Sequence, residues 1–305
     1  MDLSLMDPVM FLVAFGGGVF GAAIGALPAF IFTGIMVIVG EAAFVATGEG
    51  SITGMIAFGP FFSPSVAFGG GVAAAAFAAK KGMLGAGKDI LTTLMTYGAQ
   101  KGFAMVLIVG GVFGVIGWGI HAGLAAAGTP TDTIAVGVWV SALIVRLVFS
   151  PGKTGLLGKH DPSVASSRLG LPEDRSIAWL PFMSRIDMLV IIGASVGLVS
   201  SFASIVTGSA VIGFGIAATS LLFLEMKGPV PVTHHIALPA ALAALAMISA
   251  GQVVMVAVIV GAIFGVLGAL LGELHARLFH NWGDTHIDSP AFAIFILTTV
   301  VILVL

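Results

Sequence analysis

The residues best suited to chemistry lie near the end of the chain, where acids alternate with an imidazole. Asp284, His286 and Asp288 occupy every second position, directly before the apolar run 291–305. In an extended backbone such side chains point to one side, and in a helix Asp284 and Asp288 share a face. Either geometry brings two carboxylates together beside an imidazole. That set can move protons near neutral pH or bind a divalent metal ion.

A second group of imidazoles, His234 and His235, belongs to a segment rich in proline. Its prolines are Pro229, Pro231 and Pro239. Because proline removes a backbone donor, the segment is expected to be broken or re-entrant, facing protein or a water-filled cavity. The alternative is that these prolines merely start an ordinary helix.

The first half of the chain contains a similar interrupted segment. Pro60 and Pro64 flank Ser63, Ser65 follows, and three glycines occupy 69–71. Matching interrupted segments in two halves are a pointer to a transport site. We therefore expect a central pathway, with Ser63, Ser65 and Asp132 toward the outer face and the histidines and acids of the second half toward the inner face.

Composition places all these residues in an apolar environment. The chain is 58% hydrophobic and 9% charged, whereas a soluble domain carries about 25% charged residues. The 43 glycines suit helices that approach closely within a membrane. The absence of cysteine excludes disulfides and thiolate sites. No basic stripe suits nucleic acid. The composition therefore predicts an all-α polytopic membrane protein, with the lipid bilayer as a partner.

About ten apolar segments are long enough to be candidate transmembrane spans. They begin near Met10, Pro28, Pro60, Gly102 and Asp132 in the first half, and near Asp187, Ser209, Pro231, Gly251 and Ser289 in the second. Long connections occur at 80–101 and 150–185. The segments starting at Pro60 and Pro231 are the third and eighth, which carry the interruptions.

Lysine and arginine favour the cytoplasmic side of a membrane and so predict orientation. We expect the protein in the inner membrane of the cell, with ten spans and both termini outside. This arrangement places all 12 basic residues and the linker 151–186 on the cytoplasmic side. The outer side then carries only acids, among them Asp2, Asp7 and Glu49. An alternative with eight spans makes segments 3 and 8 re-entrant and misplaces only Arg277.

The two halves resemble each other in blocks that follow the same order. The paired blocks are 11–19 with 188–196, 65–73 with 235–243, 109–117 with 260–268, and Asp132-Thr133 with Asp284-Thr285. We therefore divide the chain into a first five-helix repeat, 1–150, the linker 151–186 and a second five-helix repeat, 187–305. Because five spans is an odd number, the second repeat is inverted relative to the first, as in many secondary transporters.

Further ionisable residues are assigned from their position in the spans. Asp132 and Asp284 are expected to open spans 5 and 10, where an acid also serves as a helix cap. Glu41 lies deep in the second segment, where an ionisable side chain is costly and functional by default. Others are expected at the membrane interface: His121, Glu225, Glu273, His275 and His280.

These features favour a permease that moves a small ion or small solute, coupled to protons or cations, through a site between the repeats. A passive channel of the same architecture is one alternative. The other is an intramembrane metal-dependent enzyme. No cofactor is required by the sequence, although a bound cation or divalent metal would suit one set of side chains: His234, His235, Asp284, His286 and Asp288. A compact bundle of this kind is also compatible with a homo-oligomer.

Overall fold

The computed structural model describes residues 4–48, 52–150 and 152–305, and within them the protein is all helical. Asp2 and Glu49, which we expect on the outer side, lie outside the described residues, as does position 151 of the linker. Four described helices are long and apolar enough to cross a membrane: Ala26–Thr47, Phe103–Ala126, Ile186–Thr207 and Val254–His280. Several shorter apolar helices accompany them. The fold therefore indicates association with a membrane.

The helices follow one another in two groups separated by the linker. The first group is α1 (Pro8–Ile24), α2 (Ala26–Thr47), α3 (Gly69–Lys80), α4 (Phe103–Ala126) and α5 (Thr133–Phe149). The second group is α6 (Ile186–Thr207), α7 (Ile212–Thr219), α8 (Leu222–Glu225), α9 (His234–Ser249), α10 (Val254–His275) and α11 (Ser289–Val304). A helical segment begins within a few residues of every predicted start.

The interruptions fall partly where the prolines predict them. Before α3 the chain forms π-helical turns at Ile52–Ala57 and Pro64–Phe68, so the third segment is irregular as expected. The eighth segment, by contrast, is the continuous helix α9 with Pro239 inside it. Pro229 and Pro231 precede this helix, and one missing donor near its start does not end it. The seventh segment is the interrupted one, because α7 and α8 are separate short helices.

Glycines let the long helices pack with their backbones in contact. Helices α1 and α4 run antiparallel and are in contact at Gly18 and Gly114. The contact is so close that a Cβ atom on Gly114 would lie 2.9 Å from Cα of Gly18. Antiparallel α6 and α10 meet where a Cβ atom on Gly265 would lie 2.8 Å from Cα of Gly197. Any larger residue at these points requires a backbone to move. Small residues at helix interfaces are typical of membrane proteins.

Replacing Gly265 by alanine should therefore destabilise the protein, because the new methyl group collides with the backbone of Gly193 and Gly197. We expect a loss of about 1 to 3 kcal/mol in the free energy of unfolding, as for other overpacked sites. The measurement is unfolding in mixed micelles of detergent and dodecyl sulfate. Gly16→Ala is the control, because nothing lies within 4 Å of a Cβ atom there. Equal effects of the two substitutions would contradict the packing argument.

Candidate functional site

A buried arginine of α5 holds the polar stretch 280–288, which precedes α11. Arg146 is 1% exposed, and its guanidinium donates to Thr285 Oγ1 and to the Thr285 carbonyl, each at 2.6 Å. It also donates to the carbonyls of Leu156 at 2.9 Å and Phe279 at 3.1 Å. A Cβ atom on Gly283 would collide with the guanidinium, so glycine is required there. One side chain therefore joins α5, the linker and the connection between α10 and α11.

Two long connections pack against the same stretch. The loop after α3 forms an isolated parallel β-bridge between Gly87 and Thr285, and Lys88 Nζ donates to the carbonyl of Asn281 at 3.0 Å. From the linker, the backbone N–H of Trp179 donates to Asn281 Oδ1 at 3.1 Å. Asn281 is buried. The loop and the linker are thus attached to one residue at this end of the bundle.

Aspartates cap the two helices that follow extended segments, α5 and α11. Asp132 Oδ1 accepts from the N–H of Ala135 at 2.9 Å, and Asp288 Oδ2 accepts from the N–H of Ala291 at 2.7 Å. Asp284, which we expected to open the last helix, lies four residues before this cap. The expectation is wrong because residues 283–288, where Arg146 bonds Thr285, are not helical, and Asp288 forms the cap instead.

A cavity of about 580 Å³ lies among α2, α5, α7, α8, α9 and α11. Its walls are mainly apolar and include the rings of Phe30, Phe68 and Phe214. Four of the predicted site residues line it: Asp132, His234, His286 and Asp288. Its volume lies within the range of small-molecule sites.

Imidazoles and one lysine surround the end of the cavity near the α11 cap. His286 Nε2 lies 3.2 Å from Asp288 Oδ1, and the rings of His286 and His280 are 5.0 Å apart. Lys88 reaches this end from the loop after α3. Burial, followed by the positive charge of Arg146, lowers the pKa of Lys88 to about 8, while Asp284 acts in the opposite direction. A perturbed lysine beside imidazoles and a carboxylate is typical of a functional site.

The opposite end of the cavity is reached along α5 and α11, which run antiparallel. Thr131, next to Asp132, donates to the carbonyl of Phe295, and Thr299 donates to Thr131 Oγ1 at 2.8 Å. At the other end of α5, Arg146 bonds Thr285. Ten residues of α11 separate Asp288 from Thr298, a rise of about 15 Å. Asp132 and Thr298 therefore lie at the end remote from the His286–Asp288 pair.

Two cavity-lining side chains have polar atoms without a protein partner in the described part of the chain. They are His234 Nδ1 and Thr298 Oγ1, on residues that are 6% and 7% exposed. The ring of His234 packs against Phe30 with centroids 4.7 Å apart and against Phe214 at 5.8 Å. A buried polar atom without a partner costs free energy, so these atoms suggest that a ligand supplies the missing bonds.

Three predicted residues are buried or bonded away from the cavity. Ser63 and Ser65 are fully buried and their hydroxyls lie 3.1 Å apart. His235 is 1% exposed and packs against Gly272 of α10. These residues were predicted to line the pathway, but helix packing turns them toward neighbouring helices. Neither serine therefore lines the cavity formed by the described residues.

Two predicted carboxylates, Asp284 and Glu41, also lie outside the cavity. Asp284 accepts from the hydroxyls of Ser150 and Thr154 and from the N–H of Gly152. Burial alone raises its pKa, but these hydrogen bonds more than compensate, so the pKa of Asp284 is lowered. Glu41 Oε1 accepts from Thr53 Oγ1 at 2.6 Å and is half-buried.

Sequence reasoning missed three polar residues of the cavity, Lys88, His280 and Thr298. The sequence predicts only a cytoplasmic charge for Lys88 and an interfacial position for His280. His280 is buried, as are His121, Glu273 and His275 of the same expected interfacial set. Thr298 lies in an apolar run and gives no sequence signal. Within the described residues no three His, Asp or Glu side chains are grouped so that they could hold a metal ion.

The fold and cavity define an all-helical protein with several helices apolar enough to cross a membrane. The chain matches the family described as "Family of unknown function (DUF7973)" over residues 1–166 and 170–305. The protein therefore belongs to this family. No curated protein and no solved structure shows significant similarity to the chain.

Replacing Arg146 by methionine should destabilise the fold strongly, because the buried hydroxyl and carbonyl of Thr285 lose their donors, and the half-buried Phe279 carbonyl loses one as well. Unsatisfied buried groups cost about 1 to 3 kcal/mol each, so for the two acceptors of Thr285 we expect a loss of at least about 2 kcal/mol in the free energy of unfolding. Arg185→Met is the control, because that side chain is 62% exposed and pairs with Asp187 at the surface. It should leave stability close to that of the wild type, because an ion pair in water contributes little. A mild effect of Arg146→Met would contradict its structural role.

The lowered pKa of Lys88 predicts a pH dependence of stability. An unfolded lysine keeps its proton up to about pH 10.4, whereas folded Lys88 releases it near pH 8. Between these values the unfolded state binds more protons, so the free energy of unfolding rises with pH. We expect the wild type to gain stability relative to Lys88→Met as the pH rises from about 8 to about 10. Parallel pH curves for the two proteins would refute the prediction.

Proposed function

We propose that the protein is a permease of the inner membrane that carries a small, largely apolar organic solute through the cavity. The observation that supports this is the cavity itself, enclosed by helices of both halves with polar groups at its two ends and apolar walls between. A bare inorganic ion would require a dense set of polar ligands. The mainly apolar walls instead suit an organic body.

Equivalent contacts in the two halves support the proposal of two repeats. Gly114 faces the carbonyl of Ala14 and the backbone of Gly18, and Gly265 faces the carbonyl of Gly193 and the backbone of Gly197. The same pairing recurs one turn away, where Gly110 faces Ala22 and Gly261 faces Ser201. These contacts support the register that pairs 109–117 with 260–268. They shift the first block by two residues, so that Gly18 pairs with Gly197.

The third and eighth segments also correspond. Gly117 packs against the carbonyl of Ser65, and Gly268 packs against the carbonyl of His235. At Gly268 an ideal Cβ atom would lie 2.5 Å from that carbonyl oxygen. This supports the pairing of 65–73 with 235–243. The helix caps favour pairing Asp132 with Asp288 in place of Asp284, because each of the two aspartates bonds the N–H three residues later.

Contacts between the halves support an inverted relation. Gly34 of α2 meets Gly215 and Ala218 of α7, and Gly215 meets Val37 in return. Such a reciprocal set is what a two-fold axis produces. The proposed partners α5 and α11 run antiparallel, which requires that axis to lie across the helices. Inversion of this kind provides two similar states, open to opposite sides.

We extend the proposal to ten membrane segments, with both termini outside and the linker 151–186 in the cytoplasm. The helix starts and the distribution of Lys and Arg support this arrangement. We also propose coupling to protons, because the bonded pair His286 and Asp288 lines the cavity. Histidine commonly serves as a proton shuttle in proteins.

Filling the cavity should abolish solute binding and transport. We expect that screening small apolar-bodied organic solutes by thermal shift will find compounds that stabilise the wild type but not Ile294→Trp, whose new side chain occupies the cavity. Val199→Trp is the control, because that position is 71% exposed on α6. Compounds found in this way should enter proteoliposomes containing the wild type, with uptake that responds to an imposed proton gradient.

Three results would count against the proposal. The first is a screen without any compound whose stabilisation depends on the cavity. The second is stabilisation that persists in Ile294→Trp when that variant is folded by gel filtration. The third is binding without uptake, which would favour an enzyme or a receptor over a permease.

A further inference from the structure

We propose that the solute is a protonated amine with an apolar body, and that its ammonium group binds at the Asp132 end of the cavity. This inference rests on the proposed function and adds the chemical class of the solute. It depends on three observations. Asp132 has no cationic partner among the described residues, an unpaired hydroxyl lies at the same end of the cavity, and the walls between the two ends are apolar.

Asp132 is a carboxylate at the cavity surface without a cationic side chain to balance it. Within the described part of the chain, its carboxylate accepts only from backbone N–H groups of the first turn of α5, those of Ala135 and Ile134. The described residues contain ion pairs elsewhere, at Arg185–Asp187 and Arg277–Glu273, but none at Asp132. The nearest imidazole on the chain, His121, bonds Thr133 instead. A buried carboxyl group without a cationic partner is stabilised in its charged form when a ligand brings a positive charge beside it, so the site favours a cationic ligand.

A second acceptor lies at the same end of the cavity. Thr298 Oγ1 is buried and has no partner among the residues described. Its neighbour Thr299 bonds Thr131, which precedes Asp132, so the two cavity-lining residues are held at one level of the bundle. An alkylammonium group offers several N–H donors in a small volume. It can therefore bond the carboxylate and the hydroxyl together, which a quaternary ammonium cannot.

The rest of the cavity suits the apolar body of such a molecule. Phe30, Phe68 and Phe214 face it, and aromatic faces attract ammonium groups as well as apolar surface. Apart from His234, its middle offers few polar atoms, so a sugar or a multiply charged solute would lose more hydration than it regains. At the opposite end Lys88 repels a cation. The ammonium group is therefore assigned to the Asp132 end.

The test compares three probes with the same phenyl body and different charge: phenylethylammonium, phenylethanol and phenylacetate. Binding to the purified full-length protein is measured by calorimetry at neutral pH. We expect phenylethylammonium to bind at least tenfold more tightly than the other two. Asp132→Asn should weaken its binding at least tenfold while leaving phenylethanol unchanged. Asparagine is an equally good helix cap, so the fold should be retained.

Asp7→Asn is the matched control. Asp7 caps α1 through the N–H of Val9 and lies away from the cavity, so its replacement should leave binding unchanged. Thr298→Val should also weaken phenylethylammonium more than phenylethanol. The inference is overturned if phenylethylammonium does not bind, if Asp132→Asn and Asp7→Asn behave alike, or if phenylacetate binds best. In the last case, loss of phenylacetate binding in Ile294→Trp would show that the cavity is still the solute site, and only the assignment of an amine as the solute would fail.

Discussion

Burial of the Arg146 guanidinium among neutral oxygens is the constraint on which the arrangement of this protein depends. A charge in an apolar bundle must be satisfied by hydrogen bonds, and Arg146 finds four of them in the linker and in the connection between α10 and α11. These bonds hold residues 283–288 outside any helix. The non-helical backbone delays the start of α11 to Ser289, and so places Asp288 and His286, rather than Asp284, at the cavity.

The same constraint explains why the two ends of the cavity differ. At the α11 end, the stretch fixed by Arg146 contributes His280 and His286, and the loop after α3 contributes Lys88 through its bond to Asn281. At the α5 end, the chain enters the helix through a short turn and exposes the single carboxylate of Asp132. Two similar helix caps therefore have different surroundings. Imidazole groups surround the Asp288 cap, whereas the Asp132 cap has few polar groups near it apart from a hydroxyl. Such asymmetry is a natural basis for directional coupling in a permease of the proposed kind.

Much of the helical framework could be predicted because its signals are local. Apolar runs, prolines and the scarcity of charge predict helices and their starts, and each predicted start is followed by a helix. Capping by Asp132 was also predictable, since an acid before an apolar run is a local signal. The continuity of α9 was not, because a proline in the second turn removes one bond without ending a helix. The division of the seventh segment into α7 and α8 was not predictable either, because no proline marks the point where the two helices separate.

The sequence by itself determined an all-helical chain with helices apolar enough to cross a membrane, because composition and local patterns encode those properties. It also supplied the set of scarce polar residues, of which Asp132, His234, His286 and Asp288 line the cavity. Only the tertiary structure decided which of them meet. His235 and Asp284 are neighbours or near neighbours of cavity residues in the chain, yet helix rotation and the Arg146 contacts turn them elsewhere. Convergence of side chains depends on contacts between helices far apart in sequence, and no local pattern specifies those contacts.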